Sequence, residues 1–348
     1  MIGPPPGEPG PRNPEAPAEI DVDVLEPAFV PVESSGPAIA SEPRDRRALV
    51  IGEALVDVVR AADGSTTEHP GGSPANVALG LGRLGRGVDL LTWIGKDARG
   101  RLLGEHLGAS GVAIVPGSDS ASRTSVAVAT LSPRGAAAYD FDLTWQVPER
   151  WASPPAPPVV VHTGSIAAIL EPGGADVTNV LAAHRESATL TYDPNVRPSL
   201  MPRADATRPI VEGLVALADV VKASDEDLAW LVDAPPLETA RRWAGSGPGL
   251  VVVTMGDRGA VALTSDGRQI ELLAPAVVVA DTVGAGDSFM AGLIDGLWTA
   301  GLLGADRRPA LRRISERTVR EVIARCIRIA AITVSRPGAD PPTRAELG

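Results

Sequence analysis

A chain of 348 residues that is 44% hydrophobic and 22% charged has the apolar material for one large α/β domain, and this excludes a small stapled module. Its net charge of −11 is uneven: residues 1–43 hold eight acidic groups against Arg12 alone, while the rest is nearly neutral without a basic stripe, so nucleic acid is not an expected partner. The single cysteine, Cys326, excludes a disulfide framework, and no uncharged apolar run approaches the roughly 18 residues of a membrane span, so no membrane partner is expected either.

The opening MIGPPPGEPG has neither the basic nor the apolar region of a signal peptide, and a cytoplasmic location is expected. Eleven of the 33 prolines fall within residues 1–43, among Glu, Ala and Gly. Such a segment cannot bury enough apolar surface to offset its ordering entropy, so a disordered acidic tail is expected over 1–44 and a folded domain over 45–348. Strands are predicted at 48–51, 88–93, 159–161, 190–192, 220–221 and 250–253. Helices are predicted at 75–84, 102–109, 204–217, 226–231 and 238–244. Continuous apolar strands alternating with amphipathic helices specify a three-layer α/β fold around a mainly parallel sheet. Two segments, about 58–70 and 122–145, alternate on a shorter period around Asp63-Gly64 and Pro133-Arg134-Gly135, which predicts hairpins outside the main sheet, a small β lid.

Gly80-Leu81-Gly82-Arg83-Leu84-Gly85 fits G-x-G-x-x-G but falls at a helix end instead of leaving a strand, so dinucleotide binding is not expected; a P-loop is absent. The strongest stretch runs from Asp281 to Gly292. Phe289, Met290, Leu293, Ile294, Leu297 and Trp298 give the following helix one apolar face. Ahead of it, Gly284, Ala285 and Gly286 let backbone N–H groups approach an anion at the positive helix end. Asp287, in the first turn, is placed to accept a proton from an attacking hydroxyl. An ordinary strand-to-helix turn, with Asp287 complementing the dipole, fits the same spacing. Earlier, Gly71-Gly72-Ser73-Pro74-Ala75-Asn76 reads as a hinge or tight turn entering a helix, with Asn76 able to donate to and accept from a polyol.

Taken together, residues 71–78 with Gly85 and Gly95 resemble the first signature of the ribokinase/PfkB carbohydrate kinase family, and residues 281–294 its second. The resemblance covers roughly 48–342 and is nearest to fructokinase-like members. It implies a ribokinase-like fold and phosphoryl transfer from ATP to a sugar hydroxyl, with Asp287 as base and the backbone of Gly284, Ala285 and Gly286 as anion hole. It further implies that Asp57, at the end of the first strand, and Gly72, Ser73 and Asn76 contact the sugar. Ser224, Thr254, Gly256 and Gly259 join Gly284 and Gly286 on the nucleotide side, and a loop over 330–338 closes on adenine. Mg²⁺ is implied as well. Where the family often has Asn-x-x-Glu, this chain has Ser224 and Asp227, so Asp227 would support the metal indirectly from one methylene further away. Asp281, the Val283 carbonyl and the turn 335–338 resemble a site for K⁺, and the lid resembles one that doubles as a homodimer interface. Arg197 either orients a phosphate or acidic sugar or pairs with Asp193. Fructose is the favoured acceptor; 2-keto-3-deoxygluconate, ribose, a nucleoside, and a non-catalytic sugar or nucleotide sensor remain open. His162 and Cys326 are expected to be structural.

Overall fold

Ala48, Leu49, Val50 and Ile51 are fully buried, and alternate residues serve two different cores. That is what a strand covered on both faces requires. The computed structural model describes residues 46–61, 63–131, 137–152 and 156–348, within a unit spanning Pro43–Gly348. The expected tail over 1–44 and the turn at 133–135 lie outside the described residues.

Thirteen strands are described: β1 Arg47–Ile51, β2 Leu55–Arg60, β3 Thr66–Gly71, β4 Gly87–Leu91, β5 Val112–Ile114, β6 Val126–Leu131, β7 Ala137–Asp142, β8 Val160–Gly164, β9 Thr189–Asp193, β10 Val220–Ser224, β11 Leu250–Thr254, β12 Ala260–Thr264 and β13 Gln269–Leu272. The helices are α1 Ser73–Arg83, α2 Ala98–Gly108, α3 Gly173–His184, α4 Ala204–Leu217, α5 Asp225–Leu231, α6 Pro236–Ala244, α7 Ala285–Thr299, α8 Arg308–Leu311, α9 Glu316–Val334 and α10 Arg344–Leu347. Nine strands form one sheet in the order β13-β12-β11-β10-β9-β8-β1-β4-β5, parallel from β5 through β11 and antiparallel at β12 and β13. On one face Ala48 and Val50 pack with α1, α7 and α9; on the other Leu49 and Ile51 pack with α3, α4, α5 and α6. This is the three-layer arrangement expected from the alternation of strands and helices. The chain proceeds from β1 to β4 on one side and returns through β8 on the other, so the order reverses beside β1. The carboxyl ends of strands at such a reversal form a crevice.

The other four strands form a separate sheet, β3-β2-β6-β7, made of two antiparallel hairpins joined by the parallel β2–β6 pair. Its geometry corrects one expectation. β1 ends at Ile51, and Asp57 lies in the middle of β2, opposite His69, not at the end of the first strand. A second correction concerns 330–338: α9 continues to Val334, so only the last residues of that segment form a turn. Among the described residues no helix is long and apolar enough to cross a membrane.

Candidate active site

The crevice is built around the start of α7. Gly284 caps it in the left-handed region, φ 75°, and a Cβ there would lie 2.6 Å from the Ala339 Cβ, so only glycine fits. Three residues on, Asp287 is 6% exposed and receives hydrogen bonds at both oxygens. The Ser73 hydroxyl donates to Oδ1 at 2.7 Å, and Asn76 Nδ2 donates to Oδ2 at 2.8 Å. Both donors sit in the first turn of α1, which Gly72 starts at φ 101° and Pro74 suits by lacking an N–H. A Cβ on Gly72 would meet the Glu53 carbonyl at 2.5 Å. The two segments picked out in the sequence, 211 and 214 residues apart, thus meet at one carboxylate.

Asn195, just after β9, completes the group. It holds φ 37°, which Asn tolerates better than most residues, and its Nδ2 donates to Ser73 Oγ at 2.7 Å and to Asp287 Oδ1 at 3.3 Å. With its oxygen accepting from Asn195, Ser73 must direct its own proton at Asp287. Arg197 donates to the Asn195 side chain at 2.7 Å and to the carbonyls of Asn195 and Val196. It does not pair with Asp193. That carboxylate is buried and bonded to Lys222 Nζ at 2.8 Å, so the pairing alternative for Arg197 is corrected.

Asp57 lies at the small sheet, with its Oδ2 where a Cβ on Gly71 would be, 2.2 Å away. Burial raises its pKa, and the positive charges of His69 and Arg197 oppose the rise. Ser224 and Asp227 form a capping box at α5: Ser224 Oγ accepts from the Asp227 N–H at 3.0 Å, and Asp227 Oδ2 accepts from the Ser224 N–H at 2.8 Å. Asp227 Oδ1 also accepts from the Val196 N–H at 2.8 Å, tying the Asn195 loop to β10. Thr254 ends β11, and Gly256 and Gly259 shape the following turn with φ 59° and 94°.

Asp281 accepts from the Val283 N–H at 3.0 Å and the Gly338 N–H at 2.9 Å, which brings the segment before α7 against the turn after α9. Beside them a cavity of about 640 Å³ lies between residues 272–278 and α9, walled by Leu272, Pro275, Val277, Ile327 and Ile332. A flat aromatic base fits such apolar walls.

Three groups at the crevice carry no expectation from the sequence: Asn195, Lys222 and Glu53. Glu53 is 6% exposed, accepts from the Ala167 N–H at 3.2 Å, and is pushed up to about 7 by burial. The available signal was a charge inside an apolar run, Glu53 between Ile51 and Leu55 and Lys222 within β10. His162 is buried against the Thr191 hydroxyl at 3.0 Å, and burial pushes it down to about 3, so it is neutral and structural. Cys326 is a fully buried thiol whose pKa burial raises.

A carboxylate at the positive end of a 15-residue helix, ordered by three donors beside small residues that expose backbone N–H groups, can take a proton from a hydroxyl while an adjacent anion is stabilised. Residues 45–346 match the pfkB family carbohydrate kinases. A fructokinase from Klebsiella pneumoniae is 33% identical over 261 residues, covering 73% of this chain and 85% of that protein. The ATP-bound fructokinase structure from Xylella fastidiosa superposes with a TM-score of 0.75 at 22% identity, over 87% of this chain and 97% of that one. A double-mutant fructokinase from Vibrio cholerae O395, bound to fructose, ADP and potassium, gives 0.70 at 26% identity, over 87% and 97%.

Proposed function

The chain belongs to the pfkB family of carbohydrate kinases, and from that premise we propose that it is a fructokinase, transferring the γ-phosphoryl of ATP to a hydroxyl of fructose. The observation that carries this reading is the meeting of Ser73 and Asn76 with Asp287 at the start of α7. The acceptor hydroxyl binds between α1 and α7, near Asp57, Gly72, Ser73 and Asn76. Its oxygen forms a bond to the γ-phosphorus as the bond to the ADP oxygen breaks, and its proton passes to a carboxylate oxygen of Asp287. The N–H groups of the Gly284–Gly286 turn stabilise the charge on the transferred group. Ser224, Thr254, Gly256 and Gly259 border the nucleotide, whose base fits the cavity beside α9.

Among the described residues no three His, Cys, Asp or Glu side chains are arranged to hold a metal ion. A Mg²⁺ ion would instead arrive on the nucleotide phosphates and touch the protein through water, with Asp227, 7% exposed, as an indirect support; when bound, it would neutralise phosphate charge. Asp281, the Val283 carbonyl and the 335–338 turn fit a K⁺ ion. The small sheet acts as lid, and its edge strands β3 and β7 offer unpaired backbone for a homodimer.

The test is ADP release from Mg-ATP with potassium, across fructose, ribose, 2-keto-3-deoxygluconate, adenosine and a no-sugar blank. Arg197, close enough to influence Asp57, keeps the acidic sugar in the panel. Fructose is expected to turn over fastest; a faster rate on any other acceptor overturns the fructose assignment. Asp287→Asn should lose roughly 10²–10⁴-fold in turnover and still bind nucleotide, because the base goes and the anion hole stays. Near-normal turnover in that variant would sink the role given to Asp287.

A further inference from the structure

A charged pair lies under the start of α7, and the chemistry above makes no use of it. Lys222 on β10 and Asp193 on β9 are 2% and 0% exposed, with Nζ 2.8 Å from Asp193 Oδ2. Removing two charges from water commonly costs as much as their attraction returns, and neutral residues of similar volume serve stability as well or better. Stability therefore does not account for the pair. Its hydrogen bonding is also incomplete. An ammonium has three donors, yet Asp193 is the only hydrogen-bond partner of Lys222 among the described residues. Asp193 Oδ1 is likewise buried without a partner.

The location supplies the third observation. A Cβ built on Gly286 would lie 2.9 Å from Lys222 Nζ, so the ammonium packs against the backbone of the turn, one residue before Asp287. Glycine at 286 is what leaves it room. The other charged groups that Lys222 feels are Asp227 and Asp287, both carboxylates, and His162 beneath it is neutral.

We propose that Lys222 is a further catalytic residue, whose ammonium donates its remaining protons to the transferred phosphoryl group, and that Asp193 is the positioning residue that fixes it there. This rests on the kinase reading. Negative charge on the phosphoryl oxygens is what a phosphotransferase must stabilise, and a cation already desolvated and oriented needs no reorganisation when the reaction occurs. Asp193 occupies one ammonium proton from below and holds the others toward the anion turn.

The experiment compares wild type, Lys222→Met, and the double variant Lys222→Met with Asp193→Asn, which leaves no unpaired buried charge. ADP affinity, the thermal midpoint, and kcat and KM on the best wild-type acceptor are measured for each. The expected double variant folds, binds ADP within about threefold of wild type, and loses about 10²–10³-fold in kcat with little change in sugar KM. A purely structural pair predicts the reverse: kcat recovers in the double variant to within a few fold, and that result overturns the proposal. Should the double variant not fold, Lys222→Arg keeps both charge and pair while changing donor geometry. Aluminium fluoride, a mimic of the transferred phosphoryl, should tighten ADP binding in wild type and much less in Lys222→Arg; equal tightening overturns the role of Lys222. A wild type with neither acceptor turnover nor tightening overturns the kinase reading along with it.

Discussion

Glu53 adjoins the sugar loop, its carbonyl oxygen 2.5 Å from where a Cβ on Gly72 would lie, and its carboxyl is neutral or charged according to a pKa that burial lifts from 4.5 to about 7. Below pH 4.5 it is protonated in both folded and unfolded chains and imposes no penalty. Between 4.5 and 7 the unfolded chain ionises it while the folded chain holds the proton, so stability falls as pH rises and levels off above 7. The whole effect is on the order of 3 kcal/mol. Glu53→Gln keeps an acceptor for the Ala167 N–H and removes the titration. Its thermal midpoint is expected to match wild type near pH 4, to exceed it increasingly between pH 4.5 and 7, and to hold that margin above pH 7; a difference independent of pH would contradict a buried, proton-holding Glu53. His162 runs the opposite way, contributing stability above pH 6.5 that is lost as pH falls toward 3, but it is the same in both proteins and cancels. As members of the candidate site, Asp287, Ser73 and Asn76 were legible because their two runs together resemble a pair of family signatures, although either run alone also fits an ordinary turn into a helix. Glu53, Asn195 and Lys222 were not. Their partners lie on other elements, 29 residues away for Lys222 and Asp193 and 114 for Glu53 and Ala167. For Glu53 and Lys222 the one local mark, a charge inside an apolar run, does not say where the partner lies until the sheet is assembled.

At the scale of elements, the strands at 48–51, 220–221 and 250–253 were legible because a strand buried on both faces must be apolar throughout. α4 was legible to its ends, since its apolar residues recur on a helical period. α3 opens on Gly173-Gly174, poor helix formers, and its signal was lost; α9 was not predicted as a helix, although Val319, Val322, Ile323, Cys326 and Ile327 form its buried face. The hairpin β12–β13 is short, with Asp266-Gly267 as its one turn signal. One element pair matters most for the site, because Ser73 and Asn76 on α1 must reach Asp287 on α7. Their distance is set by Gly80, where a Cβ would come 2.7 Å from the Ala291 Cβ. Ordinary carbon contacts need about 3.5–4.0 Å, so Gly80→Ala must push α1 away from α7 by roughly 1 Å. Overpacking of this kind costs about 1–3 kcal/mol, against about 1 kcal/mol gained from helix propensity. Displacement of the α1 donors should lower kcat by up to about 10²-fold. Gly213→Ala on α4, where nothing lies within 4 Å, is the control: it should raise the thermal midpoint and leave kcat unchanged. Equal effects on kcat from the two substitutions would refute the coupling of α1 to α7.

For the whole molecule the question is how charge is divided between the catalytic unit and the N-terminal segment. Every residue placed at the site lies after position 52, and the family match begins at residue 45. The first 43 residues carry eight acidic groups and one arginine, while the body holds basic and acidic residues in near balance. A negative segment acts on an anionic nucleotide only through space unless it contributes a side chain to the crevice. At physiological ionic strength that action fades within about 8 Å, and at 0.01 M salt it reaches about 30 Å. Deleting residues 1–44 should therefore leave kcat, sugar KM and thermal midpoint unchanged at 0.15 M salt. Any change should appear as a lower KM for ATP at low salt, since repulsion of an anion slows its approach without altering the transfer step. Steady-state kinetics of both chains across a salt series separate the outcomes. A fall in kcat that persists at 0.15 M salt would mean that the N-terminal segment reaches the active site itself, and the boundary of the catalytic unit would then have to move to include it.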